Sequence, residues 1–390
     1  MRDSAGNHQG FKAAPYEDYV TVLHTSLIFK DVIPEVERRR IISLSIRSVA
    51  TRGSISAKAL IAEISKEENS YFALPLKKFA LASSLSIHYD QNLNPTSISG
   101  ASIRFDSRLP NRFVQKPLLD KAHRWVFGKL PTNYCSVRVF LSARCEHEAA
   151  ENALNALDLL RGFWNLLINN SIGLPFHSGS RKPLNKILPG PIHTLHEPSG
   201  KLATADSLWY EAEYVGPVEL YGARNELSEL RKFEKWIRGR LRRVAYPDLI
   251  EHAIRRYLRS LDSRDFKKAF LEQWAVLESL TASTMDRYDV TIRRALSLWS
   301  PTDFHRQILE HLREFRNKAV HAGETNEEVE VLLSQLRRYV EALIFFHVNN
   351  RFNFGSLDET REFLDLPSDT SFLRHRKRLL EKGLKFRCKA

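Results

Sequence analysis

Five prolines, Pro175, Pro183, Pro189, Pro191 and Pro198, fall between residues 171 and 205 among several Gly and Ser. Proline fixes φ and donates no backbone hydrogen bond, so this density opposes helix interior and central strand alike. The stretch predicts a long loop, and it parts two halves whose apolar periodicities differ. Ahead of it, residues 1–15 read as a flexible tail. Ile42, Leu44 and Ile46 alternate over 41–50, which predicts a strand. Residues 97–105 and 135–143 carry similar alternation, in the second case Val137, Val139 and Leu141 against Ser136, Arg138, Phe140 and Ser142. Helices are expected over 55–66, 74–82 and, most strongly, 146–169, where Ala150, Leu154, Leu157 and Leu167 recur at helical spacing. After the loop, 208–215 reads as one more strand and Gly216-Pro217 as a domain boundary.

Beyond that boundary the period is helical. Residues 223–244 form a helix with a basic flank that includes Arg238, Arg242 and Arg243. Pro247 opens a second helix through Ile250, Ile254, Tyr257, Leu258 and Leu261. Phe266, Ala269, Phe270, Trp274 and Leu277 stripe a third, with Glu278 at the stripe's edge. Four to five helices with short links describe a bundle. The helix over 326–349 is apolar on more than one side, so part of it is expected to meet another subunit. The fold class expected is α+β: an N-terminal mixed α/β-strand domain over 16–216, a C-terminal all-α bundle over 217–355, and a basic extension over 356–390.

A chain of 390 residues suffices for two domains. Its 59 Lys and Arg exceed its 46 Asp and Glu, a formal +13 that suits a polyanion, with nucleic acid the leading candidate. Cys135, Cys145 and Cys388 lack paired spacing, so neither a disulfide framework nor a zinc site is expected, and a reducing cytoplasm fits. The first residues have no apolar signal core, and no apolar run is long enough to span a bilayer, so no membrane partner is expected. The loop carries His177, Arg181, Lys182, His193 and His196, which suit phosphate or a metal. The two last have ligand spacing but no nearby Cys or acidic cluster, and read as exposed loop histidines. There is no Gly-rich phosphate loop, no His-Glu-x-x-His and no nucleophile elbow.

One short run, Arg316-Asn317-Lys318-Ala319-Val320-His321, places a phosphate-binding cation and an imidazole together at a structural break. Phe304, Ile308, Leu312 and Phe315 stripe a helix leading into it. Ser300 is the expected N-cap, Pro301 the first helical residue and Asp303 an acid in the first turn. Downstream, Gly323 suits a helix end, and Thr325-Asn326-Glu327-Glu328 is a capping box. Arg and His five positions apart project about 140° from one another on an ideal helix, so they converge only where the helix loosens. The looser pattern, Arg then His after four to six residues, also occurs at Arg2 to His8 and at Arg306 to His311, but of the three only Arg316 is followed by Asn. Arginine's planar fork matches phosphate oxygens, and imidazole is the side chain that exchanges a proton nearest neutral pH.

Arg316-Asn317-x-x-x-His321 resembles the signature of the HEPN superfamily. Trp274-Ala275-Val276-Leu277-Glu278-Ser279-Leu280, followed by Leu312-Arg313-x-x-Arg316-Asn317-x-x-x-His321, is similar to the ApeA-like branch, whose members are often found in bacterial defence against phage. The resemblance covers residues 251–349. It implies a HEPN bundle that pairs as a homodimer, and a metal-independent endoribonuclease cutting RNA by 2′-hydroxyl attack, with no cofactor and no metal, in antiphage defence or as a toxin. His321 would be base or acid and Arg316 would hold transition-state charge. Asn317 would position the imidazole or the phosphate, and Glu278 would orient Arg316. Lys318, Arg313, Arg238, Arg242 and Arg243 would bind nucleic acid. The N-terminal domain would answer to a phage-derived or cellular trigger. The alternative is a non-catalytic HEPN dimer that binds nucleic acid or regulates a partner.

Overall fold

The computed structural model of the chain describes residues 13–29, 33–53, 56–115, 129–171, 182–205, 207–214, 216–222, 224–282, 288–321 and 329–388. The protein is α+β, with one antiparallel sheet and a majority of helix. It divides into two compact units: residues 1–85, 89–157 and 189–216 in the first, and residues 86–88, 158–188 and 217–390 in the second.

The first unit holds α1 (Ala13–Ser26), α2 (Glu35–Thr51), α3 (Ala57–Phe72) and six strands. These are β1 (Lys77–Leu85), β2 (Thr96–Ile98), β3 (Ala101–Asp106), β4 (Cys135–Ala143), β5 (Ile192–His196) and β6 (Leu208–Tyr210), in the order β2-β3-β4-β1-β5-β6. Ser99 and Gly100 both have positive φ, 45° and 78°, which is the two-residue turn that joins β2 to β3 with Ile98 opposite Ala101. The helix α4 (Glu146–Ser171) begins in this unit, and its residues 158–171 belong to the second.

Three sequence expectations change here. The strand expected over 41–50 is part of α2: Ile41, Ile42, Ser45 and Val49 are buried, one helical face, while Leu44 of the apparent alternation is exposed. The helix expected over 74–82 is replaced by β1, which lies between β4 and β5. A central strand buried on both faces, here Phe79, Ala80, Leu81 and Ala82, has no period of two to betray it. The loop expected over 171–205 contains β5, which begins just after Pro191, where the missing amide leaves the ladder intact. Of the tail expected over 1–15, residues 1–12 lie outside the described residues and the last three open α1 instead; His177, Arg181, Gly323 and the 325–328 capping box also lie outside the described residues.

In the second unit follow α5 (Arg224–Leu241), α6 (Pro247–Asp262), α7 (Phe266–Thr281), α8 (Tyr288–Leu296), α9 (Thr302–His321), α10 (Val329–Asn349), α11 (Leu357–Leu364) and α12 (Thr370–Arg387). Pro247 opens α6, and Asp265 caps α7 by accepting from the Lys267 and Lys268 amides at 3.1 and 3.0 Å. Pro301 precedes α9 rather than opening it. The apolar residues of α10 that sequence offers to another subunit, among them Leu332, Leu336, Val340, Leu343 and Ile344, are buried within one chain. The stretch expected as a basic extension contains α11 and α12.

Polar side chains tie this unit together where apolar packing alone would leave it unspecific. The Arg161 guanidinium on α4 is 1% exposed and donates to Asp158 at 2.7 Å, to Asp262 at 2.9 Å and to the Ile187 carbonyl at 3.1 Å. Asn185 donates to Asp262 and to the Leu258 carbonyl, both at 2.7 Å. Asn169 reaches Asn185 and the Tyr257 hydroxyl, and that hydroxyl donates to Glu341 of α10 at 2.6 Å. Burial pushes the Asp262 carboxyl up despite Arg161, whereas Arg161 and Arg259 outweigh burial at Asp158 and hold it below its ordinary value.

His347 offers a pH test of the same core. It is 1% exposed, bonded through Nδ1 to the Tyr246 hydroxyl at 3.1 Å and through Nε2 to the Leu280 carbonyl at 3.0 Å. Burial outweighs the carbonyl bond and lowers its pKa from 6.5 to about 4. Between those values the unfolded chain binds the proton and the folded one does not. Stability from this group is therefore complete above about pH 6.5 and falls with pH toward 4, at roughly 1.4 kcal/mol per pH unit. In urea titrations from pH 7 to pH 4, His347→Gln is expected to flatten that loss. An unchanged slope in the variant would assign it to other groups.

Candidate functional site

The Arg316–His321 run forms the end of α9. Leu309, Leu312, Phe315 and Ala319 are its buried face, and Phe315 meets Phe270 of α7 edge to face, ring centres 4.8 Å apart. With that face fixed, Asn317, Lys318 and Val320 are exposed and Arg316 is half-buried. Position 321 follows Asn317 by one turn on the same side of the helix. The His321 side chain lies outside the described residues.

Arg316 and Asn317 are joined side chain to side chain, Nη1 donating to Oδ1 at 3.4 Å, a long bond. It is nonetheless informative, because it turns the guanidinium toward the face shared by Asn317 and position 321. Lys318, in the same last turn, adds an exposed cation at the helix C-terminus, where the macrodipole favours positive charge.

The other expected site residues lie on α5, in the turn after it, on α7 and on α9. Glu278 accepts from the Trp274 indole Nε1 at 2.8 Å, four residues earlier on α7. It stands eight residues, ~12 Å, along α7 from Phe270, the level at which Phe315 packs. The nearly fully buried Trp274 indole is the partner that its carboxylate has in the structure. Arg313 is paired with Glu310 at 2.6 Å. Arg238 lies 3.1 Å from Glu234, a 1% exposed carboxylate that Arg231 also contacts at 2.6 Å, so Arg238 has a structural duty. Arg242 and Arg243 are exposed in the turn after α5. They lie four and three residues before Tyr246, whose hydroxyl bonds His347.

The loop histidines prove to be core residues. His193 takes the Ser83 hydroxyl at Nδ1, 2.8 Å, and the Glu211 carboxylate at Nε2, 3.1 Å, while 1% exposed. His196 bonds Thr194 at 2.8 Å and the Gly200 carbonyl at 2.9 Å, and burial lowers its pKa. Both serve the sheet, and the Ser83 partner, 110 residues away, had no signal in the sequence. Among the described residues no group of three or more His, Cys, Asp or Glu is placed to hold a metal ion, and no helix is long and apolar enough to cross a membrane.

Compared with known proteins, the chain matches no family model, no curated protein and no solved structure.

Proposed function

We propose that the protein is a metal-independent endoribonuclease of the HEPN kind, its reaction centred on Arg316, Asn317 and His321. The observation that carries the reading is the Arg316–Asn317 contact on the exposed end of α9, one turn from position 321. His321 accepts the proton of an RNA 2′-hydroxyl, the 2′-oxygen bonds to phosphorus, and the P–O5′ bond breaks. Arg316 holds the charge that gathers on the non-bridging oxygens, and Lys318 attracts the backbone. The departing 5′-oxygen takes a proton from a second imidazole, which a second copy of the bundle supplies. Residues 217–355 are the catalytic bundle and residues 16–216 the part that answers a phage-derived or cellular trigger, with RNA in the cytoplasm as substrate.

This chemistry dictates its products. Fragments made in excess chelator are expected to end in 2′,3′-cyclic phosphate, or its hydrolysed form, and to begin with 5′-hydroxyl. Treatment with polynucleotide kinase before ligation reads both ends. Fragments with 5′-phosphate and 3′-hydroxyl would mean attack by water and would remove the 2′-hydroxyl mechanism.

A further inference from the structure

The helix α12 is an anomaly: eighteen residues long, capped by Asp369 accepting from the Ser371 amide at 2.8 Å, and without one buried side chain. Sequence reads this region as a basic extension for nucleic acid, but the helix sorts its residues in a way that nucleic acid does not require. Phe372, Leu373, Leu379, Leu380, Leu384 and Phe386 fall within an arc of roughly 160°. Leu380 is 69% and Phe386 79% exposed. Arg374, Lys377, Arg378, Lys382 and Lys385 occupy the opposite arc. Arg376 and Arg387 rise from within the apolar arc, and the Arg376 guanidinium lies 5.7 Å over the Phe372 ring. Such long side chains lay their stems on an apolar surface and carry the charge outward.

A helix of this length is marginal alone in water and gains its stability by covering its apolar side. Seven Lys and Arg stand against the single Glu381, a net +6, and this charge separates the candidate occupants. Pairing with the same helix of a second copy would cover the leucines but set +6 against +6. Nucleic acid would neutralise the basic arc and leave Leu379, Leu380, Leu384 and Phe386 wet. A lipid surface with anionic headgroups meets both demands, apolar side chains entering the headgroup–acyl boundary and cations remaining among the phosphates. We propose that α12 binds the surface of an anionic membrane, lying in its plane. This is independent of RNA cleavage, and it attaches the protein without a spanning helix.

The test is flotation of the full chain with phosphatidylcholine vesicles, with and without phosphatidylglycerol. Binding is expected to the anionic vesicles, weakening with salt. Lys377→Glu/Lys382→Glu should lower the partition by more than tenfold, since each cation near such a surface contributes about fivefold. Leu380→Asp/Leu384→Asp should lower it by at least as much. These positions touch no core, so folding is unaffected, as circular dichroism can verify. Absence of flotation, or flotation indifferent to the leucine pair, overturns the proposal. So does a fall in molecular mass by light scattering in the leucine variant without vesicles, which would identify a second copy as the occupant. Loss of RNA affinity in the lysine variant with vesicle binding unchanged overturns it in favour of nucleic acid.

Discussion

Alanine at Arg316 or at His321 is expected to reduce RNA cleavage by at least about 10²-fold while the protein stays folded. Loss of a positioned proton-transfer group costs roughly 10²–10⁴ in rate, and loss of a group that holds transition-state charge costs about 10²–10³. Folding should survive, because the buried contacts at this end of α9 come from Leu312, Phe315 and Ala319. The informative controls lie on the same helix. Arg306 and His311 have the same spacing without the Asn, and both are exposed in mid-helix. Arg306→Ala and His311→Ala should leave cleavage within about twofold, in line with surface substitutions elsewhere. Asn317→Ala should fall between, if its amide is what draws Arg316 toward position 321. Initial rates on one labelled RNA, with circular dichroism on every variant, separate these outcomes. Activity that depended on Arg306 and His311 but not on Arg316 and His321 would place the site elsewhere.

Arg161→Ala carries the largest expected loss of stability, about 3–5 kcal/mol. The guanidinium is buried, and removing it leaves Asp262 facing only Asn185 and deprives Asp158 of one of two cations. The guanidinium's own place is closed to solvent and the carboxylates are only partly open to it, so the penalty exceeds that of a surface pair. Arg313→Ala, which breaks a half-exposed pair with Glu310, should cost about 0–1 kcal/mol. Urea titration at pH 7 measures both. The additional change Asp262→Asn should restore part of the loss by removing the charge left uncompensated. A loss under about 1 kcal/mol for Arg161→Ala would mean that water replaces the guanidinium and that the network is less closed than its burial indicates.

What was legible in the sequence was local. The strand over 135–143 announced itself because one of its faces is buried and the other is not. The opening of α6 at Pro247 follows from the chemistry of helix starts. The apolar stripe of α9 was legible for the same reason, since Leu312 and Phe315, read at helical spacing, are buried. The failures share a cause: β1 and β5 owe their state to strands paired on both sides, and α2 owes its face to what covers Ile41, Ser45 and Val49. Likewise His193 owes its buried place to the Ser83 hydroxyl, 110 residues away. No spacing in the chain records such distances.

Wild type and His321→Ala, each incubated with total cellular RNA in excess chelator, give the most direct measurement of the proposed activity. Cleavage by the wild type that disappears in the variant is the result expected. Intact RNA in both, or equal cleavage in both, would contradict it.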